Sequence, residues 1–235
     1  MIPKIIHYCW FGNNPKPKNV EKCIKSWREM LPDYELIEWN EKNFNVEYNK
    51  YTSEAYRAKK YAFVSDVARL KALYEYGGIY LDTDVIVYKT FNSILDEKCV
   101  FGFEEKQFVA TSFIACEQYD SFIKSFLDYY SESKYGDMKT NVVVLTDLLG
   151  KKGLRRTDEK QMIDNHISIY PQEFFSPYDY INCVMKKTHQ TICAHLYYVS
   201  WAKKSEKFNR LIKSVLVKII GVHRLEKLRE KIGKE

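Results

Sequence analysis

The chain has 235 residues, 46% hydrophobic and 15% aromatic, enough for one compact domain, or a domain with an appendage, that buries roughly 70 to 75% of its unfolded surface. Nine glycines and six prolines exclude a collagen-like or low-complexity chain, and 19 tyrosines argue against disorder. The net charge of +6 is unevenly placed: residues 203–235 hold 11 Lys and Arg against 4 Asp and Glu, whereas residues 1–202 hold 26 against 27. The basicity belongs to the tail.

Taken in chain order, Lys4 to Trp10 is a short β-branched and aromatic run closed by Phe11-Gly12-Asn13-Asn14-Pro15, the pattern of a buried strand ending in a loop. Val20, Cys23, Ile24, Trp27 and Leu31 recur at helical spacing up to Pro32, and Tyr34 to Trp39 returns to strand character. This β-α-β opening predicts an open α/β sheet. Ser53 to Tyr76 reads as one or two helices, stopped by Gly77-Gly78. Strands are expected at 79–81 and 85–87 around Asp82-Thr83-Asp84, then at 100–103 and 111–116, with helices over 121–130 and 142–149. Residues 151–165 read as a charged, irregular surface connection. Late strands at 167–170 and 191–196 bracket an aromatic loop from Pro171 to Tyr180.

The tail differs in kind. Phe208, Leu211, Ile212, Val215 and Ile219 share one helical face with Lys207, Arg210, Lys213 and Lys218 interspersed, and Leu225, Leu228 and Ile232 continue the stripe. Such a basic amphipathic helix or helix pair suits an anionic membrane surface, and it equally suits the protein's own core or a dimer partner. The division expected is a catalytic domain at 1–202 and this tail at 203–235. No nucleic-acid recognition motif accompanies the charge.

Six cysteines are spread singly, without a C-x-x-C pair, and read as reduced thiols. The opening residues lack a secretory apolar stretch, no N-x-[ST] acceptor occurs, and no window approaches ~20 uncharged apolar residues. These features lead to the expectation of a cytoplasmic protein, peripheral at the inner face of the cell membrane if residues 205–235 bind there.

The chemistry-bearing motif is Asp82-Thr83-Asp84, the one D-x-D of the chain. After a strand the side-chain period is two, so the acids point the same way and can jointly hold a hard divalent cation, Mg²⁺ or Mn²⁺. Such a pair at the carboxyl end of a strand lies where open α/β sheets bind ligands; a solvated turn is the plain alternative. Asp66 and Arg69 share a face at i, i+3. An Asp there can accept from sugar hydroxyls and an Arg can hold phosphate or hydroxyl groups, unless the two form no more than a surface ion pair.

The succession of Ile2 to Trp10, Ser65-Asp66-Val67-Ala68-Arg69, Tyr76-Gly77-Gly78-Ile79-Tyr80-Leu81-Asp82-Thr83-Asp84 and His195 with Ser200-Trp201 resembles glycosyltransferase family 32, which includes capsular polysaccharide transferases and Golgi mannosyltransferases and is related in its catalytic core to the large glucosylating toxins. The segment from Ile169 to Pro177 also resembles the bacterial capsule-type branch. The resemblance implies a type A glycosyltransferase fold, with a Rossmann-like nucleotide-sugar-binding sheet, a nucleotide-sugar donor and a Mn²⁺ or Mg²⁺ cofactor. It places Trp10 on the nucleobase, Asn40 beside the nucleoside, Asp66 on ribose or donor-sugar hydroxyls, Arg69 on the donor sugar and Tyr80 near the diphosphate. Asp82, Asp84 and His195 would hold the metal, and Ser200 and Trp201 the diphosphate. Two departures stand out: Thr140-Asn141-Val142 replaces a Thr-Gly-Pro-like turn, and Leu196 replaces a second histidine.

The function implied is transfer of a hexosyl unit from a UDP-sugar to a saccharide or lipid-linked saccharide hydroxyl, with retention, in capsule or polysaccharide synthesis. Asp82 and Asp84 also mimic the haloacid-dehalogenase phosphatase signature, with Asp82 as nucleophile. A non-catalytic nucleotide-sugar-binding module is the third reading.

Overall fold

The computed structural model describes residues 1–105, 107–133, 139–180 and 182–198, so the expected tail and its boundary at 202 lie outside the described residues. The opening is as read: β1 (Ile5–Cys9), α1 (Lys18–Met30) and β2 (Glu35–Trp39) form a β-α-β unit, with β1 and β2 parallel and Cys9 opposite Trp39. Helix α1 buries Val20, Cys23, Ile24 and Trp27, the stripe legible in the sequence.

The long helical stretch divides into α2 (Lys50–Arg57) and α3 (Tyr61–Tyr76). A reciprocal capping box between Asn49 and Thr52 starts α2. Helix α3 is buried almost all round, through Val64, Asp66, Val67, Ala68, Arg69, Leu70, Ala72 and Leu73, because it packs on α2 and on strands β1 and β3 (Gly78–Leu81), and against a later helix, α4 (Ser121–Glu132). This accounts for its weak amphipathic pattern. Gly77 ends it at φ +65°, where an added Cβ would lie 2.6 Å from the Gln118 amide nitrogen, so the turn from α3 into β3 requires glycine.

Beyond β3 come β4 (Val85–Val87), β5 (Cys99–Glu104), β6 (Phe108–Val109), β7 (Phe113–Cys116), α4, α5 (Asn141–Gly150), β8 (Gln161–Ile163), β9 (Ile167–Tyr170), α6 (Gln172–Phe175), β10 (Tyr178–Asp179), β11 (Val184–Met185) and β12 (Cys193–His195). The main sheet runs β2-β1-β3-β7-β5-β9-β8, with β6 paired to β5. Strand β3 is parallel to β1 and antiparallel to β7, which is antiparallel to β5. The carboxyl ends of β1, β2, β3 and β5 therefore share one edge. Strands β12 and β4 pair separately, as do β10 and β11.

Two expectations need correction. Residues 151–165 are not wholly irregular: β8 closes one side of the sheet, burying Gln161 and Ile163 and exposing Met162. Three residues are too few to display a period of two, and the buried Gln161 imitates backbone by bonding the amide and carbonyl of Arg155. The aromatic loop from Pro171 to Tyr180 contains α6 and β10; Phe175 is buried there, stacked on Phe113 at 3.9 Å between centroids.

Cys9, Cys23, Cys99, Cys116 and Cys193 are buried free thiols. No described helix is long and apolar enough to cross a membrane.

Candidate active site

Asp82-Thr83-Asp84 forms the turn from β3 into β4, closed by a 3.0 Å hydrogen bond from the Val85 amide to the Asp82 carbonyl. The acids converge from a turn rather than from an extended strand. One oxygen of each, with a ring nitrogen of His195, lies within 4.8 Å of the others. The histidine arrives because β12 pairs antiparallel with β4, His195 opposite Val85. Past the strand, the Leu196 amide donates to the Asp84 carbonyl at 3.0 Å and the Tyr198 amide to Asp84 Oδ2 at 2.8 Å. The late histidine and the D-x-D are thus adjacent rungs of one ladder.

His195 Nε2 lies 3.2 Å from Asp84 Oδ1. Burial alone would discharge the ring, but the charge and hydrogen bond of Asp84, aided by Glu104, lift its pKa to about 10. Burial opposes ionisation of Asp84, yet His195 and the Tyr198 amide hold its carboxyl below the usual range. Two carboxylates and an imidazole form a donor set fitting Mn²⁺, and Mg²⁺ through its oxygens. In the absence of an ion, a protonated histidine balances the acids.

Beneath this cluster Arg69 is buried. Its Nη2 lies 3.1 Å from Asp66 Oδ1 and its Nη1 3.3 Å from Asp82 Oδ1. Nη1 also donates to the Thr111 carbonyl at 2.8 Å and Nε to that of Ser65 at 3.2 Å, and the guanidinium lies over the Tyr80 ring at 4.5 Å. The Tyr80 hydroxyl donates to Asp82 Oδ1 at 2.8 Å. Arg69 and Tyr80 accordingly brace the acids, and most of the arginine's donors are already engaged. Burial raises the Asp66 pKa to about 6 against the pull of Arg69. Asn141 Nδ2 donates to Asp66 Oδ1 at 2.6 Å, so the residue marked in the sequence only as a departure contacts this acid.

Trp10 follows β1 and Asn40 follows β2, each on the edge that carries Asp82. The Trp10 amide bonds the Trp39 carbonyl at 2.9 Å, which aligns the two loops. Trp10 is partly exposed, with its indole N–H donating to the Asn14 carbonyl at 2.7 Å and Lys16 Nζ 5.8 Å from the ring. Asn40 is tied locally, to Glu38 Oε1 at 3.1 Å and to the Lys42 amide at 2.9 Å. Ser200 and Trp201 lie outside the described residues. Glu104, at the carboxyl end of β5, was missed: no motif marks it, and only the sheet order brings it to the site.

The phosphatase reading meets two obstacles. A β-α-β unit precedes the D-x-D, and Asp82 Oδ1 is occupied by Tyr80 and Arg69.

Residues 17–101 match the family described as "Glycosyltransferase sugar-binding region containing DXD motif". The chain is 35% identical to inositol phosphoceramide mannosyltransferase 3 of Schizosaccharomyces pombe over 105 residues, 40% of this chain and 27% of the relative's length. It is 26% identical to lactosylceramide 4-alpha-galactosyltransferase of Pongo pygmaeus over 165 residues, 68% of each. Among solved structures, PaToxG glycosyltransferase superposes with a TM-score of 0.51 at 21% identity over 65% of this chain and 69% of its own. A glycosyltransferase involved in glycosylation of the major capsid of PBCV-1 gives 0.52 at 10% identity over 89% and 99%. Residues 17–101 are thus similar to the DXD-containing sugar-binding region of glycosyltransferases, and the chain has the fold of type A glycosyltransferases.

Proposed function

We propose that the protein is a metal-dependent glycosyltransferase that moves a hexosyl unit from a nucleoside-diphosphate sugar to an acceptor hydroxyl, with residues 1–202 as its catalytic unit. The convergence of Asp82, Asp84 and His195 within 4.8 Å at the carboxyl end of β3 carries this reading. Bound there, a divalent ion would neutralise the diphosphate and stabilise the charge growing on it as the glycosidic bond breaks.

The chain's own residues supply the rest. Asp82, Asp84 and His195 hold the ion; Tyr80 and Arg69 fix the orientation of Asp82; Trp10 offers a ring face to the base, with Asn40 beside it. Asp66 presents an acceptor to ribose or sugar hydroxyls, and the Ser200-Trp201 pair adds donors for the diphosphate. The capsule-type resemblance supports a UDP-hexose as the first donor to test. Among the described residues no carboxylate stands out as a covalent nucleophile, so same-face attack within an ion pair, with retention, is the stereochemical proposal; isolation of a glycosyl-enzyme at any Asp or Glu would overturn it.

The similarity to a lactosylceramide galactosyltransferase and an inositol phosphoceramide mannosyltransferase supports a saccharide on a lipid as acceptor. The basic stripe of the tail supports a cytoplasmic enzyme held at the inner membrane face, and the capsule-type likeness a role in polysaccharide synthesis. If the chain truncated after residue 202 bound anionic vesicles as well as the full chain, the membrane role of the tail would be discarded. The decisive experiment screens UDP- and GDP-sugars for Mn²⁺-dependent hydrolysis. One donor should be turned over by the wild type and not by Asp84→Ala; equal turnover by both would remove the proposal, and phosphomonoester hydrolysis in its place would restore the phosphatase reading.

A further inference from the structure

We infer that Glu104, held by Tyr197, is a positioning residue that fixes the His195 ring with Nε2 turned toward the ion. The inference rests on the reading of Asp82, Asp84 and His195 as ligands. An imidazole that binds a metal through Nε2 carries its proton on Nδ1, and a buried N–H without an acceptor is costly.

His195 Nδ1 is buried with no hydrogen-bond partner among the described residues. The carboxylate facing it is Glu104, with Oε2 at 3.9 Å, about 1 Å beyond an ordinary N–H to O bond. Glu104 is itself restrained, since the Tyr197 hydroxyl donates to the same Oε2 at 3.3 Å. The Tyr197 ring lies against the imidazole, centroids 3.8 Å apart and planes inclined by 33°.

The backbone makes this arrangement specific. Tyr197 has φ +49°, a left-handed conformation uncommon for an aromatic residue. That single reversal lies between the two amides, of Leu196 and Tyr198, that grip Asp84. A costly conformation is maintained where it serves three ends together: the ring on His195, the hydroxyl on Glu104 and the amide on Asp84. Glu104 comes from β5 of the main sheet rather than from the β4–β12 pair, so the imidazole is set between Asp84 on one nitrogen and Glu104 on the other.

The test is the Mn²⁺ dissociation constant of the full chain, measured by electron paramagnetic resonance without nucleotide. Glu104→Ala should bind Mn²⁺ about ten- to hundredfold more weakly than wild type. Glu104→Gln should fall between them, because its carbonyl oxygen still accepts from Nδ1–H but carries no charge. Glu104→Leu keeps the volume without the acceptor and should match Ala, which preserves the test if the alanine variant does not fold. Wild-type affinity in a folded Ala or Leu variant, with affinity lost in His195→Ala, overturns the positioning role and leaves the metal reading intact. Wild-type affinity in His195→Ala would instead remove the metal reading itself.

Discussion

Arg69 Nη1 lies 3.3 Å from Asp82 Oδ1 in the interior of the site, so the first acid of the D-x-D is balanced from below by a cation that solvent scarcely reaches. The same guanidinium faces Asp66 at 3.1 Å. Deleting it would leave the buried Asp66 carboxylate without its cation, beside the partly exposed Asp82, a change costing about 3–5 kcal/mol. Urea denaturation of Arg69→Ala should show a loss of that size. Arg69→Lys should recover part of it, because an ammonium restores the charge but cannot serve the Thr111 and Ser65 carbonyls at once. A loss below about 1 kcal/mol in the alanine variant would mean that the acids are solvated rather than dependent on Arg69.

Tyr80 tests orientation separately from charge. Its ring is buried and its hydroxyl donates to Asp82 Oδ1. Tyr80→Phe keeps the packing and removes one bond to a charged acceptor, a loss of about 1–2 kcal/mol for a partly exposed carboxylate. Asp82 then turns more freely, so the Mn²⁺ concentration giving half-maximal donor hydrolysis should rise severalfold. An unchanged half-saturation value would assign Tyr80 to packing alone.

The features legible in the sequence were those with local signatures. The β-α-β opening announced itself through the apolar run before Phe11 and the Val20 to Trp27 stripe, and Gly77-Gly78 marked the end of α3. Asp82 and Asp84 could be placed at a strand end because the strand preceding them is continuously apolar. Contributions from pairing between distant strands were hidden. Nothing near Glu104 in the sequence says that β5 runs parallel to β3, and nothing near Leu196 says that its amide closes onto Asp84. Arg69 and Asp66 were legible as a pair sharing a face, but their depth was not: it comes from α4 and the sheet covering α3 on both sides. Strand β8 was lost for a different reason, being three residues long in a charged stretch.

The Gly77-Gly78 turn should resist any side chain. Gly77→Ala would force an alanine to φ +65° and bring its Cβ 2.6 Å from a backbone nitrogen, and Gly78→Ala would meet the Ile5 carbonyl oxygen at 2.7 Å with φ +98°. Each should cost at least about 1–3 kcal/mol. Gly150, at the end of α5, has nothing within 4 Å of an added Cβ and no positive φ. Gly150→Ala should therefore be neutral or stabilising by about 0.4–1 kcal/mol. Thermal melts of the three variants check the contrast, and equal losses at positions 77 and 150 would contradict it.

The pH dependence of stability should carry a signature of His7, which the motif contains without any assigned role. His7 is fully buried; the Trp39 indole N–H donates to its Nδ1 at 3.1 Å, and its Nε2–H is left to donate to the Gly77 carbonyl at 2.8 Å. One neutral tautomer satisfies both contacts, and a second proton would confront the indole N–H. Burial lowers the pKa to about 4 from its ordinary 6.5, with the Gly77 bond opposing the shift. The unfolded chain thus binds a proton more readily than the folded one between these values, so the His7 contribution is present above pH 6.5 and is lost as pH falls toward 4. The full loss is about 3 kcal/mol. Asp66, with its raised pKa of about 6, acts in the opposite sense, gaining stability as pH falls over much of the same window, so the wild-type profile alone would understate His7. Comparison with His7→Gln isolates the histidine, since glutamine can accept from Trp39 and donate to Gly77 without titrating, and the Asp66 contribution is common to both proteins. Urea midpoints taken from pH 7 to pH 4 should fall further in the wild type than in the glutamine variant. Parallel profiles would show that His7 does not hold the neutral tautomer on which β1, β2 and the α3–β3 turn are joined.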